Sequence, residues 1–144
     1  MHTYEVNLSW LSNRKGELSS PVLNHTIEVA TPPEFPKGMP GIWSPEHLFM
    51  SAVSSCLMTT FLSVAENSKL NFSKFSCQAI GQLDKVNGKF MVSEITLKPV
   101  VVINNADQKE RALRVLEMSE KACVISNSIT SKIVFEPTIT ILES

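Results

Sequence analysis

Ser44-Pro45-Glu46-His47-Leu48-Phe49-Met50-Ser51-Ala52-Val53-Ser54-Ser55-Cys56-Leu57-Met58-Thr59-Thr60-Phe61 is the stretch whose reading decides the fold. It opens with a serine able to cap, a proline suited to the first helical position, and a carboxylate at the positive end of the helix dipole. The helix so begun is expected to run to about Ser68. Its apolar residues occupy nearly every face, with only small hydroxyls between them. That pattern belongs to a central, buried helix rather than to a surface helix with one wet side. Cys56 lies in the middle, with the hydroxyls of Ser55 and Thr59 beside apolar Phe49, Ala52 and Val53. Taken locally, it is either a small core hydrophobe or a functional thiol.

Upstream of this helix the chain reads as strands. Tyr4, Val6, Leu8 and Trp10 alternate with Glu5, Asn7 and Ser9, so Thr3 to Trp10 is expected to form a half-buried strand. Ser12 to Gly16 is a turn, a second strand starts near Glu17, and a third covers His25 to Ala30. Four prolines between Thr31 and Trp43 make an ordered connection rather than an element. Downstream, Asn87-Gly88 signals a type I′ hairpin between Cys77–Lys85 and Lys89–Ile103, with Pro99 suggesting an edge position or a break. A second helix is expected from Ala106 to about Ala122, amphipathic through Ala112, Val115, Leu116 and Ser119. Ser131 to Leu142 returns to alternation. The order strands, long helix, hairpin, helix, strand is that of a single α+β domain over residues 1–144.

Composition bounds the function classes. The chain has 144 residues, 43% of them hydrophobic, and a formal net charge of −1. A real core is affordable at that length, and disorder is not expected. Thirteen basic residues against fourteen acidic ones, without clustering, give no footprint for nucleic acid. Leu48 to Ala65 is the longest apolar candidate, but six serines and threonines break it up, so no membrane span is expected. The start, MHTYEVNLSW, lacks the basic and apolar regions of a signal peptide. The expected location is therefore the cytoplasm.

No glycine motif for phosphate occurs, and no Gly-x-Ser-x-Gly elbow. His2, His25 and His47 are scattered and the three cysteines have no short ligand spacing, so neither a metal nor a cofactor is expected. Cys56, Cys77 and Cys123 are odd in number, and in a reducing compartment they are structural, catalytic or redox-sensing rather than permanently paired. Cys77 opens a strand with no acid, base or thiol near it in sequence.

Two segments together carry a resemblance. Ser44-Pro45-Glu46, followed ten residues later by Cys56, resembles the central helix of the OsmC/Ohr family of thiol peroxidases. Ala122-Cys123-Val124-Ile125-Ser126-Asn127 resembles that family's Ala-Cys-Pro-x-Ser-Asn segment. Arg14, in the turn Asn13-Arg14-Lys15-Gly16, falls where the family carries an arginine that contacts the reactive thiolate. The resemblance implies an OsmC-like fold: antiparallel sheets around a long buried central helix, in an intertwined homodimer with active sites at the subunit interface. It implies Cys56 as peroxidatic and Cys123 as resolving cysteine, with Arg14 and Glu46 in support. The substrate would be a small hydroperoxide, regeneration would come from a dithiol such as a lipoylated protein, and the role would be oxidative-stress defence.

The residues add their own requirements. A cysteine reacts as thiolate, burial in a helix opposes ionisation, and a cation such as Arg14, oriented by Glu46, would offset that burial. The apolar side chains of Trp43, Phe49 and Met50 would receive the organic tail of a hydroperoxide.

 Glu46 and Cys56 lie about 15 Å apart along one straight helix, at about 1.5 Å per residue. One arginine can hardly serve both on a single chain, so Arg14 and Glu46 are expected to serve Cys56 of the other subunit, unless the helix is sharply kinked. Val124 stands where the family usually has proline, which is expected to loosen the segment holding Cys123. The loop Pro36 to Trp43 is closer to the broader OsmC-like branches than to Ohr. An OsmC-like redox sensor or small-molecule binder without turnover is the alternative.

Overall fold

The computed structural model describes residues 1–142 and divides them into two compact units, Met1–Phe49 and the chain from Met50 onward. Helix α1 (Pro45–Asn67) begins in the first and continues into the second.

In the first unit, β1 (Asn7–Ser12), β2 (Lys15–Ser19) and β3 (Ile27–Ala30) form an antiparallel sheet in that order. The turn between β1 and β2 sits at Asn13, whose φ of 49° is one that Asn tolerates. The Trp10 indole N–H donates to its carbonyl at 3.0 Å. The first strand is shorter than its alternation predicts. Asn7 already pairs with Ser19, the last residue of β2, so residues 3–6 have no strand opposite them. Nor is it half-buried: all six residues are exposed.

The proline-rich connection is ordered, as expected. Thr31 N–H donates to Arg14 O at 3.3 Å and Met39 N–H to Thr31 O at 2.9 Å. Gly38 is required there, since a Cβ would lie 2.0 Å from the Pro32 carbonyl oxygen. The helix start is as read from the sequence. Ser44 is buried, and its Oγ accepts from the His47 amide at 3.1 Å.

In the second unit, β4 (Lys74–Val86) and β5 (Lys89–Ile103) form a long hairpin through Asn87-Gly88, both at positive φ as a type I′ turn demands. A short 3-10 turn and α2 (Lys109–Ala122) follow, then β6 (Lys132–Phe135) and β7 (Thr138–Ile141). Both of these strands run parallel to β5, so this sheet is mixed rather than wholly antiparallel. The intervening α2 supplies the crossover that parallel pairing needs. Pro99 is neither an edge residue nor a break in β5. It pairs with Cys77 on one side, and on the other it faces the gap between β6, which ends opposite Leu97, and β7, which begins opposite Val100. No ladder hydrogen bond is lost there.

The core of this unit gathers Phe61 and Ala65 of α1, Val101 and Ile103 of β5, and Ala112, Val115 and Leu116 of α2. Phe61 stacks on Phe75 at 4.8 Å and meets Phe72 edge-on at 5.0 Å. One expectation needs correction. Within one chain α1 buries a single stripe, Val53, Leu57, Phe61 and Ala65, at four-residue spacing, while Met58 and Leu62 remain exposed. By length and hydropathy α1 would suffice to cross a membrane. Phe61 and Ala65 of its buried stripe nevertheless pack into this core.

Candidate active site

Cys56 stands midway along α1 with its side chain partly exposed, and Cys123 is the fully buried C-cap of α2. The two are far apart in sequence, yet the fold brings their side chains close enough for each to influence the other's ionisation. Both are free thiols. Beyond Cys123 the chain turns sharply: Asn127 N–H donates to Cys123 O at 3.0 Å and Ser128 N–H to Ile125 O at 3.0 Å. Side chains reinforce this turn, with Asn127 Nδ2 donating to Lys121 O at 3.1 Å and Ser128 Oγ to Val124 O at 2.7 Å. These bonds hold the segment that carries Val124 where the family usually has proline.

The two thiols are biased in opposite directions. Burial pushes Cys56 up, but donors from the Ile125 amide, the Cys123 thiol, the Thr60 hydroxyl and the Val124 amide together outweigh it and leave Cys56 below the usual thiol value. Burial pushes Cys123 up as well. Ser126 opposes this through its amide and its adjacent hydroxyl, while the hydrogen bond and the charge of Cys56 add to the rise. The Ser126 hydroxyl itself lacks a hydrogen bond of regular geometry. The pair is therefore biased unequally, Cys56 toward the thiolate and Cys123 toward the thiol.

These donors were not all foreseen. The sequence points to a cation as the offset to burial, whereas every group lowering Cys56 is a hydrogen-bond donor. The hydroxyls of Ser55 and Thr59, close to Cys56 in sequence, are engaged elsewhere: Ser55 Oγ donates to Ser51 O at 2.6 Å and Thr59 Oγ1 to Cys56 O at 3.1 Å. Thr60, four residues after Cys56, is the hydroxyl that reaches the sulfur. Helical i, i+4 spacing is the signal that could have found it. The amides of Val124 and Ile125 have no side-chain signature.

The remaining site residues fall in several places. Arg14 is exposed in the β1–β2 turn and borders a cleft of about 330 Å³ with Leu8, Trp10 and Pro45. Its neighbour Lys15 pairs with Glu28 at 3.3 Å, but among the described residues Arg14 has no ion pair. Glu46 lies in the first turn of α1, and its buried Oε1 has no hydrogen-bond partner among the described residues. The helix is uninterrupted from Pro45 to Asn67, so nothing in its helical assignment supports a sharp kink. Trp43 borders a second cleft with Ile42 and His47, and its ring meets His47 edge-on at 6.2 Å. Phe49 is half-buried, and Met50 lies against Gly81, whose missing side chain makes room for its sulfur. Cys77 is half-buried; burial pushes it up, and the Lys98 amide only partly offsets this. Among the described residues, no group of His, Cys, Asp and Glu is arranged to hold a metal ion.

The sequence model of a family described as OsmC-like protein matches residues 38–138. Among solved structures, an OsmC-like protein of unknown function from Vibrio cholerae superposes with a TM-score of 0.86 at 23% identity, over 95% of this chain and 99% of that one. An organic hydroperoxide resistance protein from Elizabethkingia anophelis gives 0.78 at 21% identity, over 99% and 98%. One from Legionella pneumophila gives 0.77 at 19% identity, over 98% of each chain. A search of curated proteins finds no match.

Proposed function

The chain belongs to the OsmC-like protein family, and from that premise we propose that it is a thiol-dependent peroxidase acting on organic hydroperoxides and on hydrogen peroxide. The observation that carries this reading is the neighbouring pair Cys56 and Cys123, with Cys56 biased toward thiolate and Cys123 toward thiol. Solved relatives of the same fold include organic hydroperoxide resistance proteins.

In the first step the Cys56 thiolate attacks the outer peroxide oxygen and the O–O bond breaks. The sulfur is oxidised to sulfenic acid, and the departing alkoxide takes a proton to become alcohol. The charge on Cys56 is then gone, and with it one influence that holds Cys123 protonated. Cys123 sulfur attacks the sulfenic sulfur, the S–S bond forms, and hydroxide leaves as water after protonation. A dithiol reductant, with a lipoylated protein as the proposed kind, returns both thiols by exchange. Trp43, Phe49 and Met50 would receive the organic tail. A reducing compartment suits this cycle, and the cytoplasm is the proposed location.

We further propose a homodimer in which Arg14 and Glu46 of one chain serve Cys56 of the other. Three observations support it: Glu46 Oε1 is buried with no hydrogen-bond partner among the described residues, Leu8 and Trp10 are 65% and 76% exposed, and α1 leaves Met58 and Leu62 uncovered. The test of the proposed activity is multiple turnover of cumene hydroperoxide with a dithiol reductant in excess. Sustained consumption that vanishes in Cys56→Ser supports it. A single stoichiometric burst with no turnover would instead support a redox sensor.

A further inference from the structure

The first turn of α1 carries a side-chain arrangement that the cysteine chemistry does not use. Ser44 Oγ accepts from the His47 amide at 3.1 Å and lies 2.6 Å from Nδ1 of the His47 ring. Ser44 is fully buried, and among the described residues its hydroxyl has no other acceptor within reach. Its single proton therefore goes to Nδ1, which places the imidazole N–H on Nε2 and pins the ring to the helix cap. The pinned ring meets the Trp43 indole edge-on, with centroids 6.2 Å apart and planes at 87°. That geometry is one that aromatic pairs prefer. The main chain of Trp43 is fixed separately: Ala30 N–H donates to Trp43 O at 2.8 Å, and Val29 bridges to it. The indole itself is 54% exposed, and among the described residues His47 is the one aromatic ring against it. Both rings border the same cleft of about 360 Å³, beside Pro33, Pro40 and Ile42.

We propose that His47, pinned by Ser44, is a positioning residue that holds the Trp43 indole as the wall of an apolar subsite. Position 47 thereby favours hydroperoxides with an aromatic or branched apolar tail over hydrogen peroxide. The inference rests on Trp43 receiving the organic tail, and it deepens that assignment. An indole with a fixed main chain and a half-exposed ring still turns about its side-chain bonds unless a neighbour stops it. Hydrogen peroxide has no tail to lay against the ring, so its reaction is indifferent to how the indole is held.

Three variants separate the parts. His47→Ala removes the ring. Ser44→Gly and Ser44→Thr are matched as helix caps, but only threonine keeps the hydroxyl that pins the ring. The probe is cumyl alcohol, the product of cumene hydroperoxide reduction, titrated against Trp43 fluorescence in a Trp10→Phe parent so that one indole is read. His47→Ala and Ser44→Gly are expected to weaken binding about fivefold, with Ser44→Thr equal to the parent. In turnover the same two variants should raise KM for cumene hydroperoxide about fivefold, with kcat and both constants for hydrogen peroxide unchanged. The proposal is overturned if Trp43 fluorescence in the parent does not respond to cumyl alcohol, or if His47→Ala and Ser44→Gly bind it as the parent does. Ser44→Thr as weak as Ser44→Gly, or equal losses for the two peroxides, would overturn it as well.

His47 is exposed, so alanine there leaves the core untouched. Should a change at the buried position 44 prevent folding, His47→Ala against the parent decides the question alone. The cumyl alcohol titration uses no peroxide. A chain that shows the expected affinities yet turns over no hydroperoxide keeps the His47 assignment and loses the peroxidase reading. A working peroxidase whose variants bind and turn over as the parent does the reverse.

Discussion

Replacing Cys123 by alanine or by serine separates its two proposed services, as donor to Cys56 and as resolving thiol. Its thiol is one of the donors that offset the burial of Cys56. A hydrogen bond to a charged group contributes about 1.5–3 kcal/mol, and a thiol is a weak donor, which selects the lower end. About 1.4 kcal/mol corresponds to one unit of pKa. Cys123→Ala should therefore raise the Cys56 midpoint by about one unit. Serine retains a donor at the same position and should leave the midpoint within about half a unit of wild type. The direction follows from the charge: removing a donor to the thiolate disfavours the ionised form. Alkylation thus slows at every pH below the midpoint and is unaffected well above it. The assay is the pH dependence of iodoacetamide labelling at Cys56, in a Cys77→Ser background so that one thiol is read. Equal midpoints for alanine and wild type would refute the claim that Cys123 donates to the thiolate. Both variants should still lose the disulfide, so a peroxide pulse leaves Cys56 as sulfenic acid and excess peroxide carries it to sulfinic acid.

Other predictions concern the core, the bystander and the proposed shared site. Phe61→Ala should cost about 3–5 kcal/mol in denaturant melts, since Phe61 is fully buried between Phe72 and Phe75; a loss under 1 kcal/mol would contradict its central packing. Cys77→Ser should leave peroxide turnover unchanged, and a large loss would show that Cys77 takes part. Mixing an Arg14→Ala chain with a Cys56→Ser chain should restore one working site per heterodimer, and no recovery of turnover would sink the shared-site arrangement.

The elements were largely legible because their signals are local. The cap at Ser44, the positive-φ pair Asn87-Gly88 and the 3.6-residue period of α2 depend on residues close in sequence. What escaped depends on neighbours distant in sequence. The length of β1 is set by where β2 ends, and Pro99 is tolerated because β6 and β7 leave a gap beside it. The parallel pairing of those two strands follows from where α2 returns the chain. The site divides in the same way. Cys56 and Cys123 stood out as residue types in recognisable segments, and the fold joins them. The groups that tune Cys56 did not stand out, because two are backbone amides, which every sequence carries and only a fold can aim. Thr60 was hidden among neighbouring hydroxyls until helical geometry selected it. For Arg14 and Glu46, the sequence suggested a cation and its anchor, while the structure gives a buried carboxylate oxygen with no hydrogen-bond partner among the described residues.

The most direct test adds one equivalent of cumene hydroperoxide to the fully reduced protein, then counts thiols and maps disulfides by non-reducing digestion. The account predicts the loss of two thiols per peroxide and a single linked pair, the peptide containing Cys56 joined to that containing Cys123, with Cys77 still free. A linkage through Cys77, or peroxide consumed with both Cys56 and Cys123 still reduced, would contradict it.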